Sequence, residues 1–89
     1  MIGYSDEAWD SIQSLFDDPA RELLADRLNQ MLDILENDSG DQRVRRHRMH
    51  VPALWHFTVG GSGEVWSILW EPDQDGEPYI NFAGTGLAD

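Results

Sequence analysis

One segment of fourteen residues, 43–56, holds most of the groups suited to chemistry near neutral pH. It carries all three histidines, four of the six arginines and no acidic residue. Imidazole can act as a general acid or base near pH 7, and guanidinium groups bind phosphates and carboxylates. The segment therefore predicts a phosphate-directed site or a surface for nucleic acid or an acidic partner, built from Arg43, Arg45, Arg46 and Arg48.

The three histidines do not have the spacing of a metal site. In a strand, His47 and His50 point to opposite faces, and the segment contains no carboxylate or cysteine. The whole chain lacks cysteine, which excludes zinc sites of the Cys₄ and Cys₂His₂ types. We expect no metal and no other cofactor. His56 is the candidate catalytic residue, and the alternative is a half-buried strand histidine whose hydrogen bonds are satisfied.

The arginines also have a purely structural interpretation. They could neutralise acidic residues of the same chain, and exposed ion pairs of this kind contribute only about 0–1 kcal/mol each. In an extended strand, residues 44, 46 and 48 would share one face and 43, 45, 47 and 49 the other. Nearby acids are Asp33, Glu36, Asp38 and Asp41.

The charge of the whole chain limits its partners. The 89 residues include 17 acids and have a net charge of −11, which argues against a general nucleic-acid binder. No apolar run is long enough to cross a membrane, and residues 1–7 lack the basic and apolar regions of a signal peptide. We expect a cytoplasmic protein without a membrane contact.

Two helices must position this segment. Ser5 is a suitable N-cap, and the apolar spacing after it predicts a helix over 6–16 with Trp9 on its apolar face. Asp18 and Pro19 predict the start of a second helix over 19–36, which carries a leucine stripe. The two helices are predicted to form a hairpin.

The second half of the chain has the features of β-strands. Strands are predicted at Val44–Met49, Leu54–Val59, Glu64–Trp70 and Tyr79–Ala83, with Pro52 ending the first, and Met1–Tyr4 could add an edge strand. Trp66, Ile68 and Trp70 share a strand face and are predicted to cover the helices, although Trp55, Trp66 and Trp70 could instead stack on bases.

The fold class is therefore predicted to be α+β, with the helical hairpin packed on a mainly antiparallel sheet of three to five strands. One domain covers 1–89, with the hairpin at about 6–36, the sheet at about 43–84 and a flexible tail at 85–89.

The order of elements and several residues resemble the RelE/ParE toxin superfamily of toxin–antitoxin modules. The matching features are Tyr4-Ser5 and Ala8 leading into the first helix, the leucine-rich second helix, the basic stretch before the strands, and the last strand ending in Ala83-Gly84. Three further matching features lie between the basic stretch and the last strand: Leu54–Val59, a glycine turn and Val65–Trp70. The resemblance implies a protein neutralised by an antitoxin and, if it is active, a metal-independent endoribonuclease acting on mRNA.

The resemblance also locates where family ribonucleases usually carry catalytic and phosphate-binding groups. In the family ribonucleases, the first central strand carries basic residues where this chain has His56 and Thr58. The next strand carries arginine where this chain has Ser67, and a C-terminal arginine lies where it has Gly86. The usual strand cations are therefore missing. If the protein instead acts like the branch of the family that inhibits gyrase, it would need no catalytic residues. The remaining alternatives are a non-enzymatic acidic interaction module on the same fold and a homodimer.

Overall fold

A computed structural model describes residues 1–50 and 53–85. The chain runs through β1 (Gly3–Tyr4), α1 (Asp6–Phe16), a short 3₁₀ turn (Pro19–Arg21), α2 (Glu22–Asn37), β2 (His47–His50), β3 (Ala53–Gly61), β4 (Glu64–Pro72) and β5 (Pro78–Gly84). The architecture is α+β, with two helices and a five-stranded, mostly antiparallel sheet, as the sequence predicted. The predicted tail at 85–89, apart from Thr85, and the predicted strand end at Pro52 lie outside the described residues.

Helix α1 begins where its capping residue predicted. The Ser5 hydroxyl accepts a hydrogen bond from the backbone N–H of Ala8 at 3.1 Å, and Asp6 and Glu7 occupy the favourable first turn. The helix buries Ala8, Ile12 and Leu15. The prediction that Trp9 joins this apolar face is wrong, because Trp9 is 48% exposed. Its ring packs edge-on against Tyr4, with ring centroids 5.3 Å apart.

Helix α2 starts later than predicted. Asp18 accepts a hydrogen bond from the backbone N–H of Ala20, but the turn it caps is a 3₁₀ turn, and α2 itself spans Glu22–Asn37. The leucine stripe is confirmed at four almost completely buried positions: Leu24, Leu28, Leu32 and Leu35. Two further residues predicted in the stripe differ, because Leu23 is 49% exposed and Met31 is only partly buried.

The strands form one sheet in the order β1-β5-β4-β3-β2. β1 pairs parallel with β5, and the other neighbours are antiparallel. Alternate residues of the central strands join the helix residues in a single apolar cluster, so both helices lie on one face of the sheet. Trp66, Ile68 and Trp70 belong to this cluster, which confirms their predicted core role. The other face, called the open face below, carries no helix of the described residues.

The hairpin of β3 and β4 is closed by a two-residue turn. Ser62 and Gly63 have φ angles of 54° and 78°, which is the left-handed conformation that tight hairpins require. Gly61 pairs with Glu64 directly before this turn. A Cβ on Gly61 would lie only 3.0 Å from the backbone of Leu24, so the glycine lets α2 approach the end of the hairpin closely.

Strand β2 differs from its prediction at its start. It begins at His47, not at Val44, and it spans only four residues. Val44 is fully buried, and the Trp70 indole Nε1–H donates to its carbonyl oxygen at 2.8 Å. Its N–H donates to the carbonyl of Asp41 in a turn. The chain is therefore anchored in the core until Val44 and joins the sheet edge only afterwards.

Candidate functional site

The open face combines apolar side chains with two histidines. Side chains alternate between the two faces along each strand, so the strand pairing shows which residues lie on the open face. Leu54 and Leu69 are almost fully buried there although they lie outside the helical core cluster, while Val65 is 63% exposed. Across the strands, the open face is formed by His47, Met49, Leu54, His56, Thr58, Val65, Ser67, Leu69 and Phe82.

His47 and His56 lie directly opposite each other on β2 and β3. Their ring centroids are 5.7 Å apart and the planes are tilted by 44°. His50 pairs with Ala53 and therefore faces the other side, as the sequence predicted. The sequence interpretation did not foresee that His47 and His56 meet, because the contact depends on the register between two strands.

The environment of His56 favours its neutral form. Burial lowers the pKa of its imidazole below the ordinary value of 6.5, and the neighbouring His47 lowers it further. Its Nε2 atom is buried and has no hydrogen-bond partner among the described residues. The expected half-buried histidine with satisfied hydrogen bonds is therefore not found. A neutral imidazole can accept a proton, but this Nε2 atom is buried, and His47 brings a second imidazole to the same face.

The predicted arginine cluster does not gather around His56. Arg45 stacks over Trp55 at 5.1 Å and over Trp70 at 5.4 Å, and Arg48 stacks over Trp55 at 4.8 Å. The Nε–H of Arg45 also donates to the carbonyl of Ser39 at 2.6 Å. Because Trp55 and Trp70 point toward the helices, these two guanidinium groups lie on the side of the sheet opposite to His56. Cation–π stacking thus accounts for two of the four predicted site residues.

Arg43 is held by an acidic neighbour. Its Nε and Nη2 donate to the two carboxylate oxygens of Asp41 at 3.0 and 2.8 Å, and its backbone N–H donates to the same group. These hydrogen bonds lower the pKa of the Asp41 carboxyl from 3.8 to about 2. The expectation that the arginines neutralise nearby acids is met by Arg43; within residues 1–50 and 53–85, none of the other three predicted site arginines forms an ion pair.

Arg46 is the cation of the cluster with no partner inside the described chain. It is exposed, and it lines a cavity of about 300 Å³ together with Arg43, His47, Thr58, Met31 and Phe57. No carboxylate belongs to this lining, although the chain has 17 acids. The cavity lies beside β3, beyond the point where β2 leaves the sheet.

Neither a metal-ligating cluster nor a membrane-spanning helix is found in the described parts of the chain. Among residues 1–50 and 53–85, no three histidine or acidic side chains come together in a way that could ligate a metal. Neither helix in this part of the chain is long and apolar enough to cross a membrane.

Comparisons with known proteins add no relative to this picture. No protein-family model, no curated protein and no solved structure matches the chain.

Proposed function

We propose that this chain is a RelE/ParE-like protein of a toxin–antitoxin module that is bound by an antitoxin and acts through protein contacts, without cleaving RNA. The element order and the resemblance of its residues support the toxin-family part of this proposal. The observation that carries the non-catalytic part is that β3, β4 and β5, the strands that hold His56 and most of the open face, contain no arginine or lysine.

RNA cleavage needs groups that stabilise the negative charge developing on the phosphate in the transition state. Strands β3, β4 and β5 contain no arginine, and the chain has no lysine at all. Arg45 and Arg48 are stacked on the opposite side of the sheet. A chain with a net charge of −11 would also be repelled by ribosomal RNA. Proton transfer by His56 would therefore find no cation on β3, β4 or β5 to stabilise that charge.

The open face has features of a surface for a protein. Val65 is 63% exposed, and apolar side chains alternate with histidine, serine and threonine across three strands. Apolar groups beside a few polar ones are typical of protein interfaces. An antitoxin that covers this face would bury Val65, whereas Leu54 and Leu69 are almost fully buried already.

A second candidate is a non-enzymatic interaction module on the same fold that is not toxic. The internal use of Arg43 and Arg45 favours it, because these residues then serve the structure of the chain and not a target. The acidic remainder of the surface would bind a basic partner.

Expression of the protein alone in bacteria tests these alternatives, with growth, bulk translation and DNA supercoiling as readouts. We expect growth arrest that His56→Ala leaves unchanged, with His50→Ala as the control because His50 faces the other side of the sheet. Loss of arrest in His56→Ala only, together with falling translation in the unmodified protein, would establish a ribonuclease and contradict the proposal. Normal growth with folded protein would favour the non-toxic module.

A further inference from the structure

Strand β3 is more than twice as long as the strand that flanks it. β3 has nine residues and β2 has four, and their pairing ends at His47 and His56. From Phe57 to Gly61, β3 pairs only with β4. One side of β3 at residues 58–60, called the bare edge below, therefore has no strand of the described chain beside it.

The hairpin turn determines which backbone groups face the bare edge. Gly61 and Glu64 close a two-residue turn, so their pair is hydrogen-bonded, and the pairs then alternate along the ladder. Residues 57, 59 and 61 consequently bond to β4, whereas Thr58 and Gly60 direct their N–H and C=O groups outward. The contact of Arg27 agrees with this, because its Nη1 donates to the Gly60 carbonyl at 2.8 Å.

Three backbone groups on the bare edge are left for a partner. They are the N–H and C=O of Thr58 and the N–H of Gly60. Thr58 is exposed, so these groups are within reach of another chain. An unpaired, accessible strand edge accepts an extended segment by strand addition.

The cavity beside the bare edge indicates what kind of segment fits. Its lining includes the apolar Met31 and Phe57, and Arg46 is its cation without an ion-pair partner among the described residues, since Arg43 is paired with Asp41. Side chains of an added strand alternate between two sides. An apolar residue followed by an acidic one would match the apolar and basic parts of the cavity.

We propose that the bare edge of β3 binds an extended, acidic segment of a partner protein by strand addition, with Arg46 contacting its carboxylates. The proposal rests on the proposed function for the existence of a protein partner. Local charge favours an acidic occupant here, because no carboxylate lines this cavity while acids dominate the rest of the chain.

The test uses a synthetic probe and ¹⁵N-labelled protein, so that its outcome does not depend on toxicity. The probe is an N-acetylated, C-amidated hexapeptide of alternating valine and glutamate, and its control replaces each glutamate by lysine. We expect the glutamate peptide to shift the amide signals of Thr58 and Gly60 at concentrations up to about 1 mM. Absence of these shifts, or equal shifts with the lysine peptide, would overturn the proposal.

Two pairs of variants separate the backbone contact from the charge. Thr58→Pro removes an N–H that β4 does not use and should weaken binding about tenfold or more, whereas Thr58→Ala keeps the N–H and should bind normally. Arg46→Ala should weaken binding several-fold. Arg48→Ala is its control, because Arg48 stacks on Trp55 and does not line the cavity. Equal effects of the two arginine variants would contradict the assigned role of Arg46.

A probe-side variant keeps the test valid if Thr58→Pro does not fold. Methylation of alternate backbone nitrogens of the peptide removes its own donors, and we expect one of the two methylation patterns to abolish binding. Self-association of the protein without peptide, with shifts at Thr58 and Gly60, would identify a second copy as the occupant and overturn the proposal.

Discussion

At the scale of single residues, Trp70 determines where the basic segment runs. Its ring is fully buried, its indole N–H donates to the Val44 carbonyl, and one face carries the Arg45 guanidinium. One side chain therefore holds both the residue that enters the core and the arginine that follows it. This explains why β2 starts at His47 and why Arg45 is unable to reach the open face beside His56.

Replacing Trp70 by phenylalanine should show how much this side chain contributes to the free energy of unfolding. The change leaves the buried Val44 carbonyl without its indole donor, which costs about 1–3 kcal/mol, and lost packing adds to that. Trp9→Phe is the matched control, because Trp9 is 48% exposed and should change the free energy of unfolding by less than about 1 kcal/mol. Urea denaturation followed by circular dichroism measures both; equal effects would contradict the anchoring role.

At the scale of elements, the close approach of α2 to the β3–β4 hairpin depends on one glycine. Gly61 would place a Cβ 3.0 Å from both the Cα and the N of Leu24, and backbone atoms cannot move aside as the end of a side chain can. Next to it, the Ser62 hydroxyl accepts a hydrogen bond from the Leu24 N–H at 3.4 Å. The first turn of α2 and the hairpin turn therefore form one packed unit.

Gly61→Ala should destabilise the protein by about 1–3 kcal/mol, because the helix must shift away from the hairpin. Gly60→Ala is the matched control, since a Cβ there meets its nearest atom at an ordinary 3.8 Å. We expect the control to change the free energy of unfolding by less than about 0.5 kcal/mol. Thermal unfolding of the two variants measures the difference, and a Gly61→Ala protein as stable as the control would refute the close contact.

At the scale of the whole molecule, the excess of negative charge opposes folding. Seventeen acids and six arginines share a small surface, and the described ion pairs use only a few of them. The core must offset the resulting repulsion. Salt at about 0.1 M screens charges over about 10 Å, so added salt should relieve much of it.

We therefore expect the melting temperature to rise by about 4–8 °C between low and moderate salt, which corresponds to about 1 kcal/mol for a domain of this size. The double variant Asp10→Asn and Asp33→Asn, at two exposed positions, should be more stable at low salt and respond less to salt. Differential scanning calorimetry at several sodium chloride concentrations gives the result. A melting temperature that falls with salt would show that attractive pairs dominate instead.

The sequence by itself determined the elements whose signals are local. Ser5 and the spacing of Ala8, Ile12 and Leu15 sufficed to predict α1, and the leucine stripe sufficed for the body of α2. The glycine-rich turn between two β-prone runs predicted the β3–β4 hairpin, and alternation predicted Trp66, Ile68 and Trp70 in the core. Capping, periodicity and turn chemistry act within a few residues, so they can be read before any fold is known.

Only the tertiary structure decided how the candidate site is assembled. The meeting of His47 and His56, the stacking of Arg45 on Trp70 and the late start of β2 all depend on contacts between residues far apart in the chain. Strand spacing predicted arginines on both faces of β2, but the late start of that strand leaves Arg43, Arg45 and Arg46 outside it and only Arg48 within it. The bare edge of β3 has the same origin, because the length of one strand against another is determined by packing and not by local sequence.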